Sequence, residues 1–115
     1  MQTKAATRVD VMYRAFSDRT RLRILHMLRG GELCVCHIVD VLKVPQPKAS
    51  RHLAYLRKAG LVRARKEGRW AYYTLAPPRN KVHQMLIDSL SHCCQDMPEL
   101  LKDDELLGRR RQCCD

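Results

Sequence analysis

The apolar residues in the first third of the chain recur at the spacing of amphipathic helices. From Val9 onward they fall at i, i+3, i+4 and i+7, which predicts a first helix. Ser17 or Asp18 is suited to cap a second helix, whose leucines repeat until the chain reaches Gly30. A third, short helix is predicted over residues 32–42. The chain therefore begins as a helical domain with short connections.

The pattern changes after a turn that contains two prolines. Pro47 fits the first turn of a fourth helix, where its missing N–H costs nothing, and this helix is predicted to run to Lys58. Residues 61–66 and 69–75 are rich in β-branched and aromatic side chains at a period of two, which predicts a two-stranded hairpin. A fifth helix is predicted over residues 80–94.

This order of elements predicts a mainly α fold with a small β-hairpin. Two helices joined by a tight turn, the second of them basic and followed by a hairpin, form a winged helix-turn-helix. Residues 95–115 give a weak periodic signal and are interpreted as a C-terminal tail that carries one cysteine pair. We therefore divide the chain into a domain over residues 1–94 and a tail over residues 95–115.

The charge distribution indicates a class of partner. The chain has 22 Lys and Arg against 12 Asp and Glu, which gives a formal net charge of +10. Between Lys43 and Trp70 there are nine cations and a single anion, Glu67, so the fourth helix and the hairpin hold most of the excess. A basic block in an ordered region is typical of a surface that binds a polyanion such as DNA, although a solvated surface face has the same composition.

The expected compartment affects how the cysteines are interpreted. No apolar run approaches the roughly 20 residues needed to cross a bilayer, and residues 1–8 lack the apolar block of a secretory signal. We therefore expect a cytoplasmic protein with no membrane partner. In a reducing cytosol, clustered cysteines favour metal binding or redox chemistry over disulfides. The six cysteines form three pairs: Cys34 and Cys36, Cys93 and Cys94, and Cys113 and Cys114.

Four segments resemble, in chain order, motifs of the ArsR/SmtB metal-responsive repressors. They are the second-helix sequence FSDRTRLRIL at 16–25, the cysteine box ELCVC at 32–36, the recognition-helix sequence QPKASRHL at 46–53 and the wing sequence GRWAYYTL at 68–75. The cysteine box is similar to the arsenite-binding box of the arsenic-responsive members. It departs from that box at Val39, where a third cysteine is usual, and Pro45 likewise stands where a capping serine is usual.

The resemblance implies a homodimer, paired through the first and last helices, that represses a resistance operon. Its partner would be double-stranded operator DNA, and it would leave the DNA when a trivalent metalloid inducer, As(III) or Sb(III), binds. Such a protein is not an enzyme and has no constitutive cofactor. On this interpretation residues 1–94 provide both DNA binding and dimerisation.

Ten residues are candidate DNA contacts. A recognition helix reads base edges from near its amino end, which selects Gln46, Lys48, Ser50, Arg51 and His52. Phosphate contacts are expected from Arg57, Lys58, Arg65, Lys66 and Arg69. His52 has an alternative interpretation as a packed residue, because one face of this helix must be buried. Dimer symmetry predicts a two-fold operator with half-sites about one helical turn apart.

Cys34 and Cys36 are the candidate inducer ligands, because thiolates bind soft ions. Both are predicted to lie in the first turn of the third helix. Residues i and i+2 of an ideal helix point about 200° apart and cannot easily hold one atom. Capture of an ion is therefore expected to distort or unwind the start of this helix. Because the third helix is the first half of the helix-turn-helix, ligand binding would change the affinity for DNA.

Full coordination of trivalent arsenic requires three thiolates. Because Val39 stands in place of the third cysteine of the box, the third thiolate must come from elsewhere or be missing. Cys93 or Cys94, from this or the partner subunit, is the first candidate, and the pair Cys113 and Cys114 is the second. A site of two thiolates would instead favour a methylated arsenical.

Two alternatives stay open at this point. One is a cadmium-, lead- or zinc-responsive repressor of the same family, and the other is a thiol metallochaperone or redox protein that uses the Cys93–Cys94 pair. The histidines available to a zinc or cadmium site are His37, His83 and His92.

Overall fold

The computed structural model describes residues 8–110, and its first half is helical, as the apolar pattern predicts. The helices are α1 (Val9–Ala15), α2 (Arg19–Leu28), α3 (Val35–Leu42) and α4 (Gln46–Lys58). Asp18, and not Ser17, caps α2, because its carboxylate accepts a hydrogen bond of 3.0 Å from the backbone N–H of Arg21. Lys43 ends α3 in the left-handed conformation, with φ of 58°. The chain then turns through Pro45 into α4.

The sheet has one more strand than the sequence predicts. Its strands are β1 (Leu33–Cys34), β2 (Val62–Glu67) and β3 (Trp70–Leu75), in the order β1-β3-β2, and both pairings are antiparallel. The predicted hairpin corresponds to β2 and β3. The two residues of β1 were expected in the first turn of the third helix, and that boundary is wrong: Cys34 is extended, with φ of −70° and ψ of 145°. It pairs with the edge of β3 that β2 leaves open.

The last part of the chain is more regular than the sequence predicts. Helix α5 (Lys81–Ser89) continues as a 3₁₀ helix over Leu90–Gln95, so the predicted fifth helix is correct in place but changes type near its end. Part of the predicted tail then forms α6 (Glu99–Arg110). This helix packs against α2 and α3 and buries Leu100 and Leu107.

The core lies between the helices and the sheet and holds α3 and α4 in place. Ile24 and Leu25 of α2, Ile38 of α3, and Leu53 and Leu56 of α4 are all fully buried. This packing fixes the two helices of the helix-turn-helix and the β2–β3 wing that follows them. Over the described residues, none of the helices has the length and apolar character required to cross a membrane.

Candidate nucleic-acid interface and thiol site

Helix α4 presents one buried face and one polar face. Ala49, Leu53 and Leu56 recur at helical spacing and are buried, so the opposite side of the helix faces solvent. Six predicted DNA contacts are exposed on that side or at its ends: Gln46, Lys48, Ser50, Arg51, Arg57 and Lys58. This surface is positive and carries donors and acceptors of the kind that read base edges.

His52 differs from the other candidates on α4. Its side chain is only 16% exposed, and its Nδ1 lies 3.9 Å from Oδ2 of Asp18, the residue that caps α2. Burial, opposed in part by Asp18, lowers the pKa of His52 below its ordinary value. The alternative interpretation of His52 as a packed residue is therefore the one this geometry favours.

The wing presents cations in two different environments. Lys66 and Arg69 are exposed, and so is Trp70 beside them, which is not among the predicted DNA contacts. Arg65 is bound to carboxylates instead: its Nε and Nη2 each donate a bond of 2.7 Å to Glu32, and its Nη1 donates one of 2.7 Å to Glu67. These contacts raise the pKa of Arg65 and lower the pKa of Glu32.

The two thiols of the cysteine box lie in contact before any ion is bound. Cys36 donates an S–H hydrogen bond of 3.0 Å to the sulfur of Cys34. Cys34 is 2% exposed, whereas Cys36 is half-buried. Because Cys34 is the extended residue before α3 and Cys36 is the second residue of the helix, their side chains point the same way. The premise that both cysteines are helical is wrong, so the expectation that capture distorts or unwinds the helix start loses this support.

The distance between the two sulfurs is close to the distance between two thiolates that bind one ion. Bonds of about 2.3 Å separated by 90–110° place two thiolates about 3.3–3.8 Å apart, so the observed 3.0 Å must widen by only about 0.3–0.8 Å. Across residues 8–110, no group of three or more histidine, cysteine, aspartate or glutamate side chains is arranged to hold a metal ion. Within one chain, this described region therefore offers the thiol pair without a third ligand.

The second cysteine pair lies elsewhere, in the 3₁₀ helix after α5. Cys93 donates a bond of 3.5 Å to the carbonyl of Ser89, and the sulfur of Cys94 lies 3.4 Å from Nε2 of His26. Nη1 of Arg29 also lies 3.3 Å from that nitrogen. Burial lowers the pKa of His26. This chain therefore does not bring Cys93 or Cys94 into a ligand group with the cysteine box.

The other predicted ligands have separate outcomes. His83 is buried, and its Nδ1 accepts a hydrogen bond of 3.2 Å from the backbone N–H of Arg79, which is a packing role. His92 is exposed in the 3₁₀ helix that follows α5, and His37 is half-buried on α3. Cys113 and Cys114 lie outside the described residues.

Comparison with known proteins identifies the family. Residues 18–64 match the family model described as bacterial regulatory protein, arsR family. A transcriptional regulator of the HTH type from Methanocaldococcus jannaschii is 50% identical over 80 residues, which cover 69% of this chain and 90% of that protein. The chain belongs to the arsR family of bacterial regulatory proteins. The resemblance stated from the sequence motifs is confirmed.

Further relatives of this ArsR-family chain agree in fold and role. The arsenical resistance operon repressor of Escherichia coli is 42% identical over 86 residues, which cover 74% of each protein. Among solved structures, HlyU of Vibrio cholerae has a TM-score of 0.66 and 35% identity, covering 80% of this chain and 96% of that one. The predicted winged helix-turn-helix is thereby confirmed. The chain is a transcriptional regulator and not an enzyme.

Proposed function

We propose that this ArsR-family chain is a cytosolic, homodimeric repressor that leaves its operator DNA when As(III) or Sb(III) binds to Cys34 and Cys36. The observation that carries the proposal is the contact of 3.0 Å between the two sulfurs, at the first residues of the helix-turn-helix. Soft thiolates held together in this way suit a thiophilic metalloid. The relative named as an arsenical resistance operon repressor supports the same inducer.

The exposed face of α4 supports binding in the major groove. The amino end of this helix carries Gln46, Lys48, Ser50 and Arg51, whose side chains suit adenine and guanine edges. Phosphates would be bound by Lys58 and by the exposed wing cations, which add affinity without sequence information.

Exposed apolar side chains support a dimer formed through α1 and α5. These two helices pack on each other, and Tyr13 on α1 and Met85 on α5 are 56% and 62% exposed. Pairing of two chains over this face would remove the two side chains from water. A two-fold dimer then requires a two-fold operator, with half-sites about 34 Å apart.

Coupling between the inducer and DNA follows from the position of the thiol pair. Cys36 is part of α3, which packs against α4, so a change at the sulfurs acts on the DNA-binding unit itself. Changing a repressor from 99% bound to 1% bound requires about 5.5 kcal/mol of differential affinity. Two As–OH bonds of As(OH)₃ and two S–H bonds would be exchanged for two As–S bonds, with release of two water molecules. The part of that binding free energy that differs between the DNA-bound and DNA-free states drives the release in this proposal.

The third sulfur is the open part of the site. Across residues 8–110, one chain holds no group of three histidine, cysteine, aspartate or glutamate ligands, so a donor outside the thiol pair is required for full coordination. Cys93 or Cys94, from this or the partner subunit, is the first candidate, and the pair Cys113 and Cys114 is the second.

The proposal is tested by fluorescence anisotropy at a fixed salt concentration. The probe is a labelled DNA duplex that contains the operator of the protein's own gene. We expect arsenite to raise the Kd of the wild-type protein at least about tenfold, in the usual range of allosteric coupling. Cys34→Ser should bind the duplex normally and ignore arsenite. Val35→Thr changes the residue between the two thiols without removing either, so it should respond like the wild type. Normal release of Cys34→Ser by arsenite would contradict the assigned site.

Further arms of the same assay separate the alternatives. Loss of release in Cys113→Ser/Cys114→Ser, but not in Cys93→Ser or Cys94→Ser, would assign the third thiolate to the C-terminal pair. Release by methylarsenite alone would indicate a site of two thiolates. Release by cadmium but not arsenite would favour a cadmium-responsive repressor, and a metallochaperone or redox protein would show no sequence-specific, salt-dependent binding.

A further inference from the structure

An ion pair links the cysteine box to the wing. Glu32 lies one residue before β1, and its two carboxylate oxygens accept bonds of 2.7 Å from Nε and Nη2 of Arg65 on β2. Such a two-point contact fixes orientation as well as distance. Because Nη1 of Arg65 is bound to Glu67, all three nitrogens of the guanidinium donate to carboxylates. Arg65 is therefore engaged by two carboxylates of the protein, while its side chain stays 51% exposed.

The same arginine is connected to Cys34 across the sheet. Cys34 pairs directly with Tyr72 of β3, and Tyr72 pairs directly with Arg65 of β2. Residues directly opposite each other on neighbouring strands have side chains on the same face, so these three form one row. The guanidinium carbon of Arg65 lies 4.6 Å from the centre of the Tyr72 ring, which confirms the contact. Cys34 is thus connected to Arg65 in two ways. One is the strand pairing through Tyr72, and the other is Glu32, which lies two residues before Cys34 and binds Arg65.

Ion capture acts on this connection because the two sulfurs are anchored unequally. Cys36 belongs to α3, whose Ile38 and Leu42 are buried in the core. Cys34 belongs to a strand of only two residues, which is buried as well but is held in the sheet by its single pairing with β3. When the sulfurs move from 3.0 Å to the about 3.3–3.8 Å of two thiolates on one ion, we expect the short strand to move rather than the helix. Glu32 moves with it.

We propose that Glu32 is a positioning residue that transmits occupancy of the thiol pair to the wing through Arg65. This inference rests on the proposed function and states how that site is read out. In the ligand-free protein the ion pair holds the β2–β3 hairpin in the position that places Lys66 and Arg69 against DNA. Displacement of β1 breaks the two-point contact, and the wing loses its fixed position.

Glu32→Gln is the test, and Glu67→Gln is its matched control. Each substitution removes one carboxylate from the same guanidinium, but only Glu32 belongs to the segment that carries the cysteines. The quantity to measure is the ratio of operator Kd with and without arsenite, at fixed salt. Arsenite affinity of the DNA-free protein, followed by tryptophan or ultraviolet absorbance titration, is the second readout. Melting temperature confirms that both variants are folded.

We expect the arsenite-induced ratio to fall about fivefold or more in Glu32→Gln, with arsenite affinity unchanged within about twofold. Glu67→Gln should keep the wild-type ratio. A wild-type ratio in Glu32→Gln, or an equal fall in both variants, would overturn the inference and leave the proposed function intact. If arsenite fails to release the wild-type protein, the proposed function and this inference both fail.

Discussion

The ion pair between Asp103 and Arg23 holds the C-terminal helix on the DNA-binding domain. Nε and Nη2 of Arg23 on α2 each donate a bond of 2.9 Å to the carboxylate of Asp103 on α6. The Asp103 side chain is 3% exposed and that of Arg23 is 23% exposed. Both groups are therefore largely removed from water, and each depends on the other for its hydrogen bonds.

Asp103→Ala should destabilise the protein substantially. Removing one partner of a buried pair costs about 3–5 kcal/mol, because the other charge is left uncompensated. Arg23 keeps partial contact with water, so we expect about 2–3 kcal/mol here. At about 4 °C per kcal/mol for a domain of this size, the melting temperature should fall by about 8–12 °C.

Thermal unfolding at one fixed protein concentration checks this prediction, since the proposed dimerisation would make the melting temperature depend on concentration. Asp104→Ala is the matched control: Asp104 is the next residue, its side chain is 49% exposed, and its oxygen lies 3.6 Å from His26. We expect a change of less than about 1 kcal/mol from that substitution. The double variant Arg23→Leu/Asp103→Leu should recover most of the loss. Equal shifts in the two single aspartate variants would refute the reasoning.

Three further predictions concern the cap, a buried histidine and the DNA surface. Asp18→Ala removes the cap of α2 and should cost about 1 kcal/mol in urea unfolding, whereas Asp18→Asn should cost less; equal losses would contradict the capping role. Burial lowers the pKa of His83, so the free energy of unfolding should fall as the pH drops below about 6.5. His83→Gln should reduce this pH dependence between about pH 7.5 and 5.5. An unchanged slope of the unfolding free energy against pH would contradict the prediction. In anisotropy titrations Lys66→Ala should weaken the binding of every duplex and lower the slope of log K against log salt concentration by about 1. Arg51→Ala should weaken binding to the operator more than binding to random DNA. The reverse result would exchange the roles of the two residues.

The elements that the sequence predicts well are those with a sustained period. Helix α4 begins within one residue of its predicted start, and the β2–β3 hairpin lies where the period-two segments predict it. Strand β1 cannot be predicted from the sequence, because two residues are too few to show a hydrophobic period. Its pairing partner, Tyr72–Tyr73 of β3, is also far away along the chain. The resulting error of three residues at the start of α3 changes the geometry of Cys34.

The C-terminal helix escapes prediction for a different reason. Leu100, Asp103 and Leu107 follow helical spacing on the buried side of α6, but the middle position is a carboxylate. An acidic residue on an apolar face lowers the helical signal, and its partner Arg23 is 80 residues away in sequence. The contact of Glu32 with Arg65 is equally invisible in the sequence. Ligand types can be identified from the sequence, whereas long-range charge pairs require the fold.

Arsenic X-ray absorption of the DNA-free protein tests most directly whether the thiol pair at the start of the helix-turn-helix binds the inducer. We expect arsenic with at least two sulfur neighbours in the wild-type protein. Cys34→Ser and Cys36→Ser should each lose at least one of them. If both serine variants bind arsenic with the sulfur coordination of the wild type, the inducer is bound elsewhere and the account is wrong.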